Sequence, residues 1–270
     1  MKTIYVIGYP RSGNVWLSRS LGDMFDCSIN EPTGGNSVAR RSGNSEEYRV
    51  IQGHYSFREN YEDKNVFIGK RKYMNPTLKP KDDYLIFLYR NPFDVAVSVY
   101  KYWRRKDLKE ALRVMRDGGL IPIYKDWMTR WLDNAKYFNM FISYEQMHYS
   151  YNEILKKIAD HYNYKPTESI EAIKIYNQIK PTRSRVKQNP ENFSYHPGIQ
   201  LRHLRKGVIG DWINHFTVKD IDYAFEFMGE IICSLGYYPD WCKNIKDVYK
   251  AYVNSPEETF AKEVYEDWNI

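Results

Sequence analysis

Cysteine is scarce in this chain of 270 residues. Cys27, Cys233 and Cys242 are the three, and no two of them form a CxxC pair. An odd, scattered set argues against a disulfide framework or a thiolate zinc site and fits a reducing compartment. Long apolar runs are missing as well, and none approaches the roughly 18 residues of a membrane span. The opening MKTIYVIGYP meets a Gly and then a Pro, which is not the architecture of a secretory leader. Internal repeats and low-complexity linkers are also missing. These absences lead to the expectation of a soluble, cytoplasmic protein with no membrane partner.

What is present narrows the class further. Hydrophobic residues make up 43% of the chain, enough to bury a substantial core, which argues against intrinsic disorder. Lys and Arg number 40 against 34 Asp and Glu, a net charge of +6. Tyr alone supplies 25 residues, more than half of all the aromatics. A mildly basic, tyrosine-rich protein suits an anionic ligand that carries a ring.

Residues 2–8 (KTIYVIG) are β-branched and aromatic and read as a buried strand. From Asn14 to Phe25, the apolar residues Val15, Leu17, Leu21, Met24 and Phe25 fall at helical spacing. Residues 28–47, rich in Gly, Ser, Asn and charge, read as a surface loop, and Arg49–Gly53 as a short strand. YLIFLYR (84–90) is a second buried strand, after which Asn91-Pro92 starts a helix. Further helices are expected at 108–116, 122–138, 150–161, 168–179, 218–235 and near the C-terminus. A short strand is expected at 140–144 and a long loop at 181–200. Strands alternating with helices give one α/β domain over residues 1–270, with a central, mostly parallel sheet flanked by helices. Such sheets bind ligands beyond the C-terminal ends of their strands.

Gly8-Tyr9-Pro10-Arg11-Ser12-Gly13-Asn14-Val15-Trp16 joins the first strand to the first helix. That placement aims backbone N–H groups and the positive end of a helix dipole at one point, which favours an anion. The spacing of Gly8 and Gly13 fits the first half of a Walker A loop, GxxxxGK[ST], but Asn14 replaces the Lys and Val15 the magnesium-binding hydroxyl. Arg11 can supply the missing cation. The result is a P-loop-like anion cradle for which no metal is expected. The plainer alternative is a Gly-Pro turn with Arg11 in solvent.

Four separated segments resemble the cytosolic-type sulfotransferases, which use 3′-phosphoadenosine 5′-phosphosulfate (PAPS). Tyr9 to Trp16 resembles the family's 5′-phosphosulfate loop. Arg90-Asn91-Pro92-Phe93-Asp94-Val95-Ala96-Val97-Ser98 is similar to its 3′-phosphate motif, with a Ser eight residues after the Arg. Ser143-Tyr144-Glu145-Gln146-Met147 is similar to the Tyr-Glu-Asp segment, and Arg205-Lys206-Gly207-Val208-Ile209-Gly210-Asp211-Trp212 to the Arg-Lys-Gly-x-x-Gly-Asp-Trp signature. The resemblance implies that Arg11, where the family commonly has Lys, contacts the sulfate and the bridging oxygen. It implies that Ser12, Gly13, Asn14 and Val15 surround the 5′-phosphate, and that Trp16 stacks on adenine with Tyr144 nearby. Arg90, Ser98, Arg205, Lys206 and Gly207 would bind the 3′-phosphate. Guanidinium groups and aromatic faces suit these parts.

In the family a Lys-Thr-His segment carries the base that removes the acceptor's proton. His54, at the end of a strand, matches the His, while Gln52 and Gly53 do not match the residues before it. The implied reaction is metal-independent, in-line sulfuryl transfer from PAPS, with adenosine 3′,5′-bisphosphate (PAP) as product. The catalytic residues are His54 and Arg11. The absent membrane anchor points away from glycan or protein acceptors, towards a small hydroxylated metabolite or natural product, with an amine also open.

Two other readings compete, a P-loop small-molecule or nucleotide kinase and a non-catalytic nucleotide or RNA binder. The second rests on Lys101, Arg104, Arg105 and Lys106 interleaved with Tyr100, Tyr102 and Trp103. A solvated helix face is the simpler reading, so no nucleic-acid partner is expected. Segment 180–206 holds seven basic residues against Glu191 alone, and in the resemblance it leads into the Arg-Lys-Gly motif. Ile213 and Asp222 stand where the family's dimer motif has Lys and Glu, so monomer and dimer both stay open.

Overall fold

Strand β1 (Lys2–Gly8) opens the chain with Ile4, Tyr5, Val6 and Ile7 all buried. Burial on both faces is what a central parallel strand requires. The structure is a computed structural model and describes residues 1–33, 36–41, 43–53, 65–68, 71–74, 83–118, 121–166, 209–235 and 237. The chain divides into two compact units, Met1–Tyr89 with Arg130–Lys206, and Arg90–Thr129 with Gly207–Ile270.

The first unit carries the sheet. After β1 come helix α1 (Asn14–Met24) and strands β2 (Cys27–Thr33), β3 (Asn36–Arg41) and β4 (Ser45–Gly53). A two-stranded pair, β5 (Asn65–Ile68) and β6 (Arg71–Met74), precedes β7 (Asp83–Tyr89). The main sheet has the order β3-β2-β4-β1-β7-β8, with β8 at Met140–Ser143. Its pairings are parallel except β2 with β3. The chain thus leaves β1 towards β2 on one side and later crosses to β7 on the other. That reversal beside β1 is where open α/β sheets bind ligands. One sheet face packs Ile4, Val6, Ile86 and Leu88 against Leu17 and Leu21 of α1 and against Leu155 and Ile158 of a later helix. On the other, Phe87 meets Trp131, Phe138 and Phe141.

The second unit begins with α2 (Pro92–Tyr102) and α3 (Leu108–Asp117). Asn91 caps α2 by accepting the Phe93 N–H at 2.9 Å, with Pro92 at the first helical position, as the sequence led one to expect. Asp107 caps α3 in the same way through Glu110 N–H. Helix α4 spans Tyr124–Asp133, while α5 (Tyr144–Tyr149) and α6 (Tyr151–His161) follow β8 in the first unit. A 3-10 turn at Asp211–Asn214 and α7 (Val218–Ser234) complete the described elements. Phe93 packs against Trp212 and Phe216, each at 4.9 Å between ring centroids.

Several elements differ from the sequence reading. Residues 28–47, expected as loop, form β2, β3 and the start of β4. β3 is the edge strand and pairs antiparallel with β2, and such a pair tolerates polar residues, so this stretch lacked the apolar run that marks a buried strand. The strand expected at 140–144 stops at Ser143, because Ser143 and Gln146 form a reciprocal capping box that starts α5. The helix expected over 122–138 ends at Asp133, where the Asn134 side chain donates to the Arg130 carbonyl. The expected helix at 168–179, the loop at 181–200 and the C-terminal helix lie outside the described residues.

Candidate active site

The loop between β1 and α1 is shaped by close backbone approach. A Cβ at Gly8 would run into the Asn14 amide oxygen and the Leu88 carbonyl of the neighbouring strand. The Asn14 Nδ2 instead donates to the Gly8 carbonyl at 2.9 Å and ties the two ends of the loop together. Ser12 N–H closes a turn on the Tyr9 carbonyl at 3.1 Å, with Pro10 and Arg11 between them. Arg11 occupies the left-handed region (φ 78°) where that turn would ordinarily take Gly or Asn. Gly13 is also left-handed (φ 100°) and forms the N-cap of α1. No acidic residue stands in the first turn of α1, so no carboxylate competes for the positive end of that helix.

Around the first turn of α1 lies a group of rings. Trp16, half-buried, stacks on Tyr151 at 5.6 Å with 12° between planes. Tyr144 and His148 meet it edge-on at 5.7 and 5.0 Å and lie 4.8 Å from each other. The Tyr151 hydroxyl donates to Ser20, and burial pushes its phenol up to about 12. Strand β4 runs parallel to β1 with Gly53 opposite Ile7, so Gly53 ends its strand at the loop's edge of the sheet.

In the second unit Arg90, Asp94 and Ser98 follow at four-residue intervals and are 6%, 0% and 3% exposed. Arg90 lies 3.8 Å from the Asp94 carboxylate. Asp94 Oδ2 accepts the Gly210 N–H at 2.8 Å and Oδ1 the Trp212 N–H at 3.0 Å. Gly210 takes φ 78° to present that pair.

The family model for the sulfotransferase domain matches residues 2–236. The chain belongs to the sulfotransferase family. It is a PAPS-dependent sulfotransferase by that membership. The rabbit amine sulfotransferase is 26% identical over 234 residues, covering 80% of this chain and 76% of that protein. Mouse sulfotransferase 2A1 is 29% identical over 162 residues, and there the match spans about half of each, 52% and 53%. The solved mouse sulfotransferase SULT7A1, in complex with PAP, has a TM-score of 0.61 at 24% identity, over 86% of this chain and 84% of that one.

For this sulfotransferase, the structure brings Arg11, Ser12, Gly13, Asn14, Val15, Trp16 and Tyr144 together in the first unit, and Arg90 and Ser98 in the second. His54, Arg205, Lys206 and Gly207 lie outside the described residues. Two residues escaped the sequence reading. His148 falls one helical turn after Tyr144, and the Ser143-Gln146 capping box was the signal that put both rings on one face. Asp94 was visible only as part of a motif. Among the described residues no helix is long and apolar enough to cross a membrane.

The backbone of Arg11 gives a direct test. A non-glycine residue in the left-handed region costs about 1–2 kcal/mol, and such strain is retained where the side chain is needed. An Arg11→Gly variant is expected to unfold within about 1 kcal/mol of the wild type, since relief of strain offsets the looser unfolded chain. Its turnover is expected to fall about 10²-fold, as for loss of one transition-state donor. Thermal unfolding and initial rates on the same preparation check both halves.

Proposed function

We propose that the 5′-phosphosulfate of PAPS is held by Arg11 and the backbone N–H groups of Ser12, Gly13, Asn14 and Val15. Adenine rests on the face of Trp16 turned away from Tyr151, beside Tyr144, and the 3′-phosphate is taken by Arg90 and Ser98 with Arg205, Lys206 and Gly207. The observation that carries this is the loop itself. Its two glycines stand where a Cβ would collide, and it opens onto a helix N-terminus with no acidic residue in its first turn. PAPS supplies the sulfuryl group and a bisphosphate leaving group. His54 takes the proton of the attacking acceptor. Gln52, buried and neutral where the family has Lys, leaves the charge on the bridging oxygen to Arg11. Val15 removes the hydroxyl through which a P-loop kinase holds magnesium, so turnover should not need a metal.

The acceptor in this reading is a small hydroxylated metabolite or natural product, or an amine. Its pocket is built from segments 28–48, 55–80, 100–130 and 181–200, and the enzyme works in the reducing cytoplasm. Burial pushes the Cys27 thiol up to about 12, which suits a structural rather than a reactive cysteine. The RNA-binding reading loses ground because Arg105 pairs with Glu110 at 3.3 Å. Thermal shift tests the assignment. PAP at a hundred times its Kd is expected to raise the Tm by about 5–10 °C, unchanged by EDTA and well above the effect of ATP. Stabilisation by a short RNA and not by PAP would overturn it. Labelled sulfate transfer from PAPS to phenols, alcohols, amines and sugars then identifies the acceptor.

A further inference from the structure

Asp94 is a buried carboxylate that the chemistry of sulfuryl transfer does not use. It is fully buried, and its two oxygens are divided between two backbone donors of one turn, Gly210 and Trp212. The same Oδ2 that takes Gly210 lies 3.8 Å from Arg90. A carboxylate desolvated this completely persists only where it is paired and hydrogen-bonded. Here one group joins the first turn of α2, the side chain of Arg90 and the Gly210–Trp212 turn. Phe93, the residue before it, packs on Trp212 and Phe216, so the ring cluster and the polar network fix the same turn.

We propose that Asp94 is the positioning residue of the 3′-phosphate half-site, setting the guanidinium of Arg90 and the Gly210–Trp212 turn in the arrangement that recognises the phosphate. The proposal rests on the assignment of the 3′-phosphate to Arg90. Its sign is opposite to that of simple electrostatics. A carboxylate beside a phosphate site repels the phosphate, so if Asp94 were only a neighbouring charge, its neutralisation would strengthen binding. If it positions the site, Asp94→Asn weakens binding, because an amide nitrogen then faces either a backbone N–H or Arg90.

The readout is the preference for PAP over adenosine 5′-monophosphate, which differ by the 3′-phosphate alone. Calorimetric titration of the full chain is expected to show that Asp94→Asn lowers this preference about tenfold or more, the worth of a charged hydrogen bond. Affinity for adenosine 5′-monophosphate itself should stay close to that of the wild type, whereas a merely structural role would weaken both nucleotides alike. An unchanged or increased preference overturns the proposal. Arg90→Ala separates the two assignments. If it erases the preference while Asp94→Asn does not, only the role of Asp94 falls. If it leaves the preference intact, the 3′-phosphate assignment falls and this proposal with it. A measurement on the wild type stands in should Asp94→Asn fail to fold. Because coupling is reciprocal, PAP but not adenosine 5′-monophosphate should slow amide exchange at Gly210 and Trp212. Equal slowing by both, or by neither, overturns it.

Discussion

A His54→Ala variant is expected to bind PAP like the wild type and to turn over slower by a factor on the order of 10²–10⁴. The two halves of that result come from different parts of the chain. Donor binding is assigned to the loop after β1 and to Arg90 and Ser98, none of which the substitution touches. Proton removal is assigned to one imidazole that follows Gly53, whose strand ends level with Ile7 at the loop's edge of the sheet. An imidazole with a pKa of about 6.5 accepts a hydroxyl proton at neutral pH. PAP titration, circular dichroism and initial rates of sulfate transfer on one preparation check both halves. A variant that keeps wild-type turnover with the fold intact removes His54 as the base.

Which parts of this arrangement were legible in the sequence follows from how local their causes are. The strand, loop and helix that open the chain were readable because their causes are local: a buried strand, two glycines at fixed spacing and a helix start follow one another directly. Asn91-Pro92 was readable for the same reason, since capping is settled within one turn. The parts that were not readable depend on partners far along the chain. Asp94 gains its role from Gly210 and Trp212, which lie 116 and 118 residues away. β2 and β3 were missed because sheet pairing, not their own composition, makes them strands.

The abundance of tyrosine divides along the same line. Composition suggested an anionic ligand that carries a ring, but several of these rings pack at the opposite end of the sheet from the loop. Phe25 meets Tyr48 at 4.7 Å and Tyr164 at 4.6 Å, and Tyr162 lies 5.5 Å from Tyr48 and 5.8 Å from Tyr84. Lys2 stands 5.1 Å over the ring of Tyr48, a cation–π contact that closes the cluster. Burial pushes the phenols of Tyr84 and Tyr162 up, so they stay neutral as packing residues. Among the described residues, Tyr144 and Tyr151 are the tyrosines in ring contact with Trp16 beside the loop.

Gly13→Ala is expected to destabilise the protein by about 2–5 kcal/mol, from left-handed strain and overpacking together. A Cβ there would sit 2.7 Å from Tyr144 Cδ2 on a backbone at φ 100°. Neither part of the collision can relax cheaply. Tyr144 is held at the start of α5 by the Ser143-Gln146 capping box, and Gly13 accepts the first hydrogen bonds of α1 from Trp16 and Leu17. Displacing Tyr144 also disturbs the rings assigned to adenine, so PAP affinity should fall with stability. Gly118→Ala supplies the comparison. Gly118 also has a positive φ (83°, with ψ −140°), but its Cβ would come no closer than 3.3 Å to the Ile123 side chain. It carries the backbone strain without the collision and lies outside the assigned cofactor residues. Its cost should come from backbone strain alone, about 1–3 kcal/mol, with PAP affinity unchanged. Denaturant melts and PAP titrations of the two variants separate strain from cradle. Equal losses of PAP affinity in both would mean that the loop glycine does no more than turn the chain.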